Sequence, residues 1–293
     1  MEKIKSSRLL SFIAAAVIYL LAACAGAAVF FSLQFNTELP FWLCLLIADA
    51  AATVVVFAFS LIFKNASVYD PYWSVQPMVI LLICTVRCGF GAAQLLPLIA
   101  VFFWGIRLTV NWAYSFKGFK EEDWRYVRLR EKTGRLFPLV NFFGIHLLPT
   151  LIVYACILPV VCLFHYFDES PFRPICAIFF LISIGAVVLQ LIADTQMHRF
   201  RNAGNRGLNR SGLWKYSRHP NYLGEILFWW GIGLYSVFSM LGRWYLLAGA
   251  LLNTLLFLFV SIPMMEERES KKRGYADYKK KTRMLWPIKK FEN

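Results

Sequence analysis

Between Leu9 and Pro263 the sequence alternates apolar runs of about twenty residues with short polar breaks, and about twenty apolar residues is what one α-helix needs to cross a bilayer's hydrocarbon core. This leaves few folds open. Inside a membrane every backbone N–H and C=O must be satisfied within the chain, and an apolar run of this length achieves that as a helix. Spans are expected near 9–33, 39–63, 75–90, 94–114, 147–165, 174–193, 221–240 and 243–263, about eight in all, or seven if 75–90 falls away. Segment 137–146 is apolar but bounded by Pro138 and Pro149, and it reads as an interfacial or re-entrant piece. The first run resembles a signal peptide, yet it continues to Leu33, too long for a signal core and right for a span. The expected fold is an all-α, polytopic transmembrane helical bundle.

Charge supports this reading. Of the 293 residues 59% are hydrophobic and 16% charged, against roughly 45–50% and 25% in soluble domains. The net charge of +14 would point to nucleic acid in a soluble protein, but here the basic residues sit between apolar runs, where they set topology, and no nucleic-acid partner is expected. With the N-terminus inside, the inner segments hold three Lys and Arg in 1–8, one at Lys64, seven in 115–136, six in 194–219 and ten in 266–293, or 27 of 31. Both termini are therefore expected in the cytoplasm of a bacterial plasma membrane or endoplasmic reticulum protein, with membrane lipids as partners. Seven cysteines lie mostly in apolar stretches with no Cys-x-x-Cys clip, so they read as small buried hydrophobes, with no disulfide framework and no metal site.

Several polar groups break this background. Tyr69-Asp70-Pro71-Tyr72-Trp73-Ser74 enters the third run; its carboxylate is either a proton donor facing a hydrophobic ligand or a helix cap in an aromatic belt. Arg107 and Asn111 share a helical face within the fourth run, so Arg107 either snorkels or binds a phosphate. The segment 117–132 mixes charge signs with aromatics and reads as an amphipathic surface helix lidding a site or as a solvated connector. The densest island is 194–225, with Asp194, Arg199, Arg201, Arg206, Arg210, Lys215, Tyr216, Arg218 and His219, enough cations for more than one phosphate. Pro220 suits the first position of a helix that would put Asn221 and Glu225 on one face with Tyr222 beside them. After the last run, Glu266, Arg268, Tyr275 and Tyr278 look like a folded cap.

Arg218-His219-Pro220-Asn221-Tyr222-Leu223-Gly224-Glu225, preceded by Gly212-Leu213-Trp214 and followed by Glu266-x-Arg268 and Tyr275-x-x-Tyr278, resembles the C-terminal domain of the steroid 5-alpha-reductase superfamily. Tyr69-Asp70-Pro71-Tyr72-Trp73-Ser74, Trp104-Gly105-x-Arg107-Leu108 and Asp123-x-Arg125-Tyr126 resemble its DUF1295 branch. The resemblance implies a bundle that binds NADPH from the cytoplasm and reduces a carbon–carbon double bond of a hydrophobic steroid-, sterol- or isoprenoid-like molecule. It divides the chain into an N-terminal hairpin, 1–64, and a reductase-like domain with a cytoplasmic cap, 65–293. Carried over by motif, Asp194, Arg201, Asn221, Tyr222, Glu225 and the tail tyrosines surround the dinucleotide, Arg107 meets a phosphate, and Tyr216, Arg218, His219 and Arg268 complete the cofactor set. Asp70 falls near the family's catalytic glutamate. Trp104 stands where those enzymes place a catalytic tyrosine, so Tyr72 or Tyr114 must supply the phenol or the substrate needs none. The alternative is an S-adenosylmethionine-dependent lipid or isoprenylcysteine methyltransferase, which shares the Arg-His-Pro-x-Tyr element. A transporter or scaffold would call for inverted repeats, and none is present.

Overall fold

A computed structural model describes residues 2–89, 91–166 and 172–288. Regular structure among them is helical, apart from a parallel bridge between Ser217 and Arg283. Among the described residues seven helices are long and apolar enough to cross a membrane: Arg8–Asn36, Phe41–Phe63, Ala92–Ser115, Trp124–His165, Pro174–Asn202, Pro220–Met240 and Trp244–Ser270. The protein is a multi-pass helical bundle. The expected span at 75–90 is the helix Tyr72–Cys88, whose 17 residues extend about 25 Å, less than the ~30 Å of a bilayer core. It starts after Pro71 and stops at Gly89, whose φ of 73° ends the helical path. The cysteines form no disulfide among the described residues.

The chain forms two compact units, one of residues 1–90 with 104–168, the other of 91–103 with 169–293. In the first, Arg8–Asn36 (α1) packs along Phe41–Phe63 (α2). A Cβ at Gly26 would lie 3.1 Å from the Ala48 carbonyl oxygen, so a small residue permits this approach. Both α2 and Tyr72–Cys88 (α3) pack against Leu148–Tyr166 (α4). Buried hydroxyls set their register: Thr150 Oγ1 lies 3.1 Å from Thr53 Oγ1 and 2.8 Å from the Tyr69 hydroxyl, which removes the cost of burying each alone. Segment 137–146, expected as an interfacial or re-entrant piece, is helical and lies inside the run 124–165. Pro138 occupies a first-turn position that needs no N–H. A π-helical turn, Asn141–Leu147, precedes Pro149, an adjustment that lets a helix continue through proline.

Segment 117–123 is pinned down. Asn65 Nδ2 donates to the Phe119 and Glu121 carbonyls at 2.8 and 3.0 Å, Ala66 N to Glu122 Oε1 at 2.8 Å, and Asp123 N to Ser67 Oγ at 2.8 Å. Asp123 then caps the helix Trp124–Thr133 by accepting from Arg125 N.

In the second unit Pro174–Asn202 (α5) and Pro220–Met240 (α6) share a tight seam. A Cβ at Gly231 would meet Ser183 Oγ at 2.3 Å and the Phe179 carbonyl oxygen at 3.0 Å, and one at Gly224 the Ala186 carbonyl oxygen at 2.8 Å. Lipid gives helices no hydrophobic reason to associate, so close backbone contact through small residues carries much of the packing. The last long helix ends in Ile262–Ser270 (α7), followed by Tyr275–Lys281 (α8).

Candidate functional site

Pro220 occupies the first turn of α6 and His219 the N-cap position, so the turn-into-helix expected from sequence is present. Its flank is held by the tail. Arg218 N donates to the Arg283 carbonyl at 2.9 Å and His219 N to the Met284 carbonyl at 3.1 Å. Arg218 Nε donates to Glu266 Oε1 at 2.6 Å and Arg218 Nη1 to the Thr282 carbonyl at 2.5 Å. Glu266 also takes His219 Nε2 at 3.2 Å and Lys279 Nζ at 3.0 Å. The Tyr278 hydroxyl donates to the Trp214 carbonyl at 2.6 Å, and Arg210 Nη2 to the Gly274 carbonyl at 2.7 Å. Tyr275 is buried beside Tyr278, ring centres 6.5 Å apart, and burial pushes both phenols above their ordinary range. Four expected cofactor residues, Arg218, His219, Tyr275 and Tyr278, are thus within the fastening of a folded C-terminal cap.

The remaining candidates of this unit divide differently. Asn221 Nδ2 donates to Asp194 Oδ1 at 3.4 Å, joining α6 to α5. The Tyr222 ring stacks on His219 with centres 5.3 Å apart and lies 4.9 Å from Phe257. Glu225 is buried and accepts from Trp229 Nε1 at 2.9 Å. Tyr216 is exposed with Lys215 Nζ over its ring, and Arg268 is exposed on α7. Arg199, Arg201 and Arg206 are exposed and have no ion-pair partner among the described residues. The arginines therefore split into two that staple the tail, Arg210 and Arg218, and three that face outward at the end of α5.

The first unit holds Asp70, Tyr72, Arg107 and Tyr114. Asp70 ends the 3₁₀ turn Ala66–Tyr69 and accepts the Tyr126 hydroxyl at 2.6 Å; Pro71 takes the cap position of α3. Burial lifts the Asp70 carboxyl from 3.8 to about 6, against the pull of Arg125. Arg107 is buried in the helix Ala92–Ser115, as is Trp104, whose ring lies 5.9 Å from Trp73. Tyr114 is 58% exposed. Tyr72 is buried and donates to Asp49 Oδ1 at 3.0 Å, while Gln76 Nε2 donates to Asp49 Oδ2 at 2.5 Å.

That trio lies in the wall of a small pocket formed by α1, α2 and α3. Its remaining lining is almost wholly apolar, including Ala23, Ala48, Ala52 and Val79, the composition of a small-molecule site. Asp49 escaped the sequence reading. Its signal was an acidic residue inside an apolar run, which marks function more often than not, but its partners stand 23 and 27 residues away.

The family described as "Protein of unknown function (DUF1295)" matches residues 56–282, more than half of the chain. The chain is similar to the uncharacterized protein C594.04c of Schizosaccharomyces pombe, 28% identical over 237 residues that span 72% of this chain and 68% of the yeast protein. No solved structure matches it significantly. With Tyr69–Ser74, Arg107, the Arg218–Glu225 turn and the tail tyrosines all inside the matched region, the chain belongs to the DUF1295 family.

Proposed function

We propose that the protein is an integral-membrane reductase that uses NADPH to saturate a carbon–carbon double bond of a hydrophobic, steroid-, sterol- or isoprenoid-like substrate, as its resemblance to the steroid 5-alpha-reductase superfamily implies. The observation that supports this reading best is the set of outward arginines, Arg199, Arg201 and Arg206, beside the Asp194–Asn221 pair. Three guanidinium groups suit a ligand with several phosphates. An S-adenosyl sulfonium carries no phosphate and makes less use of them. In this reading the three arginines hold the phosphates, Asn221 and Asp194 the ribose and amide groups, and Tyr222 and Glu225 form the support behind them. When bound, NADPH supplies a hydride.

The chain's own task is to provide a proton and keep water away. Asp70 is assigned the acid role, because a carboxyl titrating near 6 retains enough proton at neutral pH to give it and is strong enough to release it. Tyr126 orients it. Tyr72, engaged with Asp49, and Tyr114, exposed on its helix, rank behind it as donors. Both termini lie in the cytoplasm in this proposal, which requires α3 to cross as a short eighth span and keeps the basic segments on one face.

Isothermal titration of the purified protein in detergent provides the test. NADPH should bind, and Arg199→Ala and Arg201→Ala should each weaken it about 10- to 100-fold, the worth of a hydrogen bond to a charged group. Absence of NADPH binding by protein with an unchanged melting profile refutes the reading. Tighter binding of S-adenosylmethionine reverses it in favour of the methyltransferase.

A further inference from the structure

The segment that follows α8 is fixed to the start of a membrane span. The parallel bridge joins Ser217 to Arg283, and Arg218 N and His219 N donate to the Arg283 and Met284 carbonyls, immediately before Pro220 opens α6. The span Pro174–Asn202 ends at this face, α6 leaves from it, and the span Trp244–Ser270 returns to it. Residues 271–288 therefore lie where the chain passes from hydrocarbon to water, at the depth of the lipid headgroups.

Two kinds of side chain point away from the folded cap. Tyr275, Tyr278 and Thr282 are buried, a spacing that gives α8 one inward face and leaves Lys280 and Lys281 exposed. In the pinned segment that follows, Arg283 is exposed, and Met284, Trp286 and Ile288 are 37%, 56% and 56% exposed. A segment that served only to plug the start of α6 would turn its tryptophan inward. Tryptophan and aliphatic side chains among lysines suit the bilayer interface, where the apolar groups reach the acyl boundary and the cations reach the headgroups. Between Lys271 and Ile288 there are seven Lys and Arg and one acid, Asp277. Lys272 and Lys279 are paired with Glu269 and Glu266, whereas Lys271, Arg273, Lys280, Lys281 and Arg283 are exposed. This surface complements an anionic leaflet.

We propose that residues 280–288 form an interfacial anchor for anionic phospholipid, with Lys280, Lys281 and Arg283 meeting headgroup phosphates and Met284, Trp286 and Ile288 entering the acyl boundary. The anchor requires no nucleotide and no reaction, so it stands or falls separately from the reductase reading. It makes the fastening of the cap, and with it the placement of Arg218 and His219, depend on the lipid composition of the leaflet. Each Lys or Arg beside an anionic surface strengthens binding about fivefold.

Hydrogen exchange of the full-length protein in nanodiscs tests the anchor, with the buried amides of α6 as the internal reference. Amides in 278–288 should exchange at least about fivefold more slowly with about 30% phosphatidylglycerol than in pure phosphatidylcholine, and about 1 M NaCl, whose screening length is near 3 Å, should remove the difference. Lys280→Gln with Lys281→Gln should lose most of the phosphatidylglycerol effect while exchanging like the unmutated protein in pure phosphatidylcholine. Trp286→Ser should speed exchange in both lipids. Equal exchange of the unmutated protein in the two lipids overturns the proposal, as does a double variant that keeps the full difference or a Trp286→Ser protein that behaves like the unmutated one. Equal protection by millimolar inorganic phosphate in pure phosphatidylcholine also overturns it, by assigning the cations to a soluble anion.

Discussion

Removing the Glu266 carboxylate should release the C-terminal cap, and the size of the effect follows from what faces it. Its side chain is 13% exposed, those of Arg218 and His219 are 8% and 5%, and that of Lys279 is 56%. Glu266→Ala leaves the Arg218 guanidinium nearly dry with the Thr282 carbonyl, at 2.5 Å, and the more distant Lys279 carbonyl, at 3.5 Å, to receive it. Breaking a buried pair from one side costs about 3–5 kcal/mol, and the surviving carbonyl contact places this case near 3 kcal/mol. In a chain of this size that lowers the melting temperature by roughly 6–12 °C. Lys279→Ala removes an exposed partner and should cost under about 1 kcal/mol. Arg218→Met with Glu266→Ala takes away both charges, so the double variant should recover part of the loss, a coupling of about 0.5–3 kcal/mol. Thermal unfolding in detergent measures these values, and trypsin, with sites at Lys271, Lys272, Arg273 and Lys279, should cut Glu266→Ala faster at the tail. A shift below about 2 °C for Glu266→Ala, or a double variant equal to the sum of the singles, refutes the idea that this carboxylate fastens the cap.

Asp70 makes stability depend on pH in a defined direction. Its native carboxyl titrates near 6 and an unperturbed one at 3.8, so the native state binds the proton more tightly and loses up to about 3 kcal/mol when ionised. That cost is fully present above about pH 6 and disappears as pH falls towards 3.8. Asp70→Asn should therefore raise the melting temperature at pH 8, change little at pH 4 and abolish reductase turnover; melting curves across that range and a turnover assay check both. Gly231→Ala should cost about 1–3 kcal/mol by overpacking the α5–α6 seam, whereas Gly185→Ala, with nothing within 4 Å of the new Cβ, should be neutral, again by thermal unfolding.

The amino-acid sequence determines by itself that this chain is a helical membrane bundle. Runs of about twenty apolar residues can satisfy their backbones in lipid only as helices, a local requirement that no distant contact alters. The Pro220 helix start was legible for the same reason, since the constraint is in the proline ring. The number of crossings was less so: the α3 run looked like a span, and the residues that shorten it to 17, Pro71 and Gly89, act through backbone geometry.

Which polar residue serves which purpose was decided only in three dimensions. Arg201 and Arg218 look alike in the sequence, yet Arg218 is buried against Glu266, 48 residues away, and Arg201 faces outward. Asp49 is one carboxylate in an apolar run until α3 brings Tyr72 and Gln76 to it. A charged group in an apolar setting is tolerated only with partners, and partners across helices are set by packing. Sequence pattern therefore shows where the polar groups are, and the packing of the helices determines which of them remain available to a ligand.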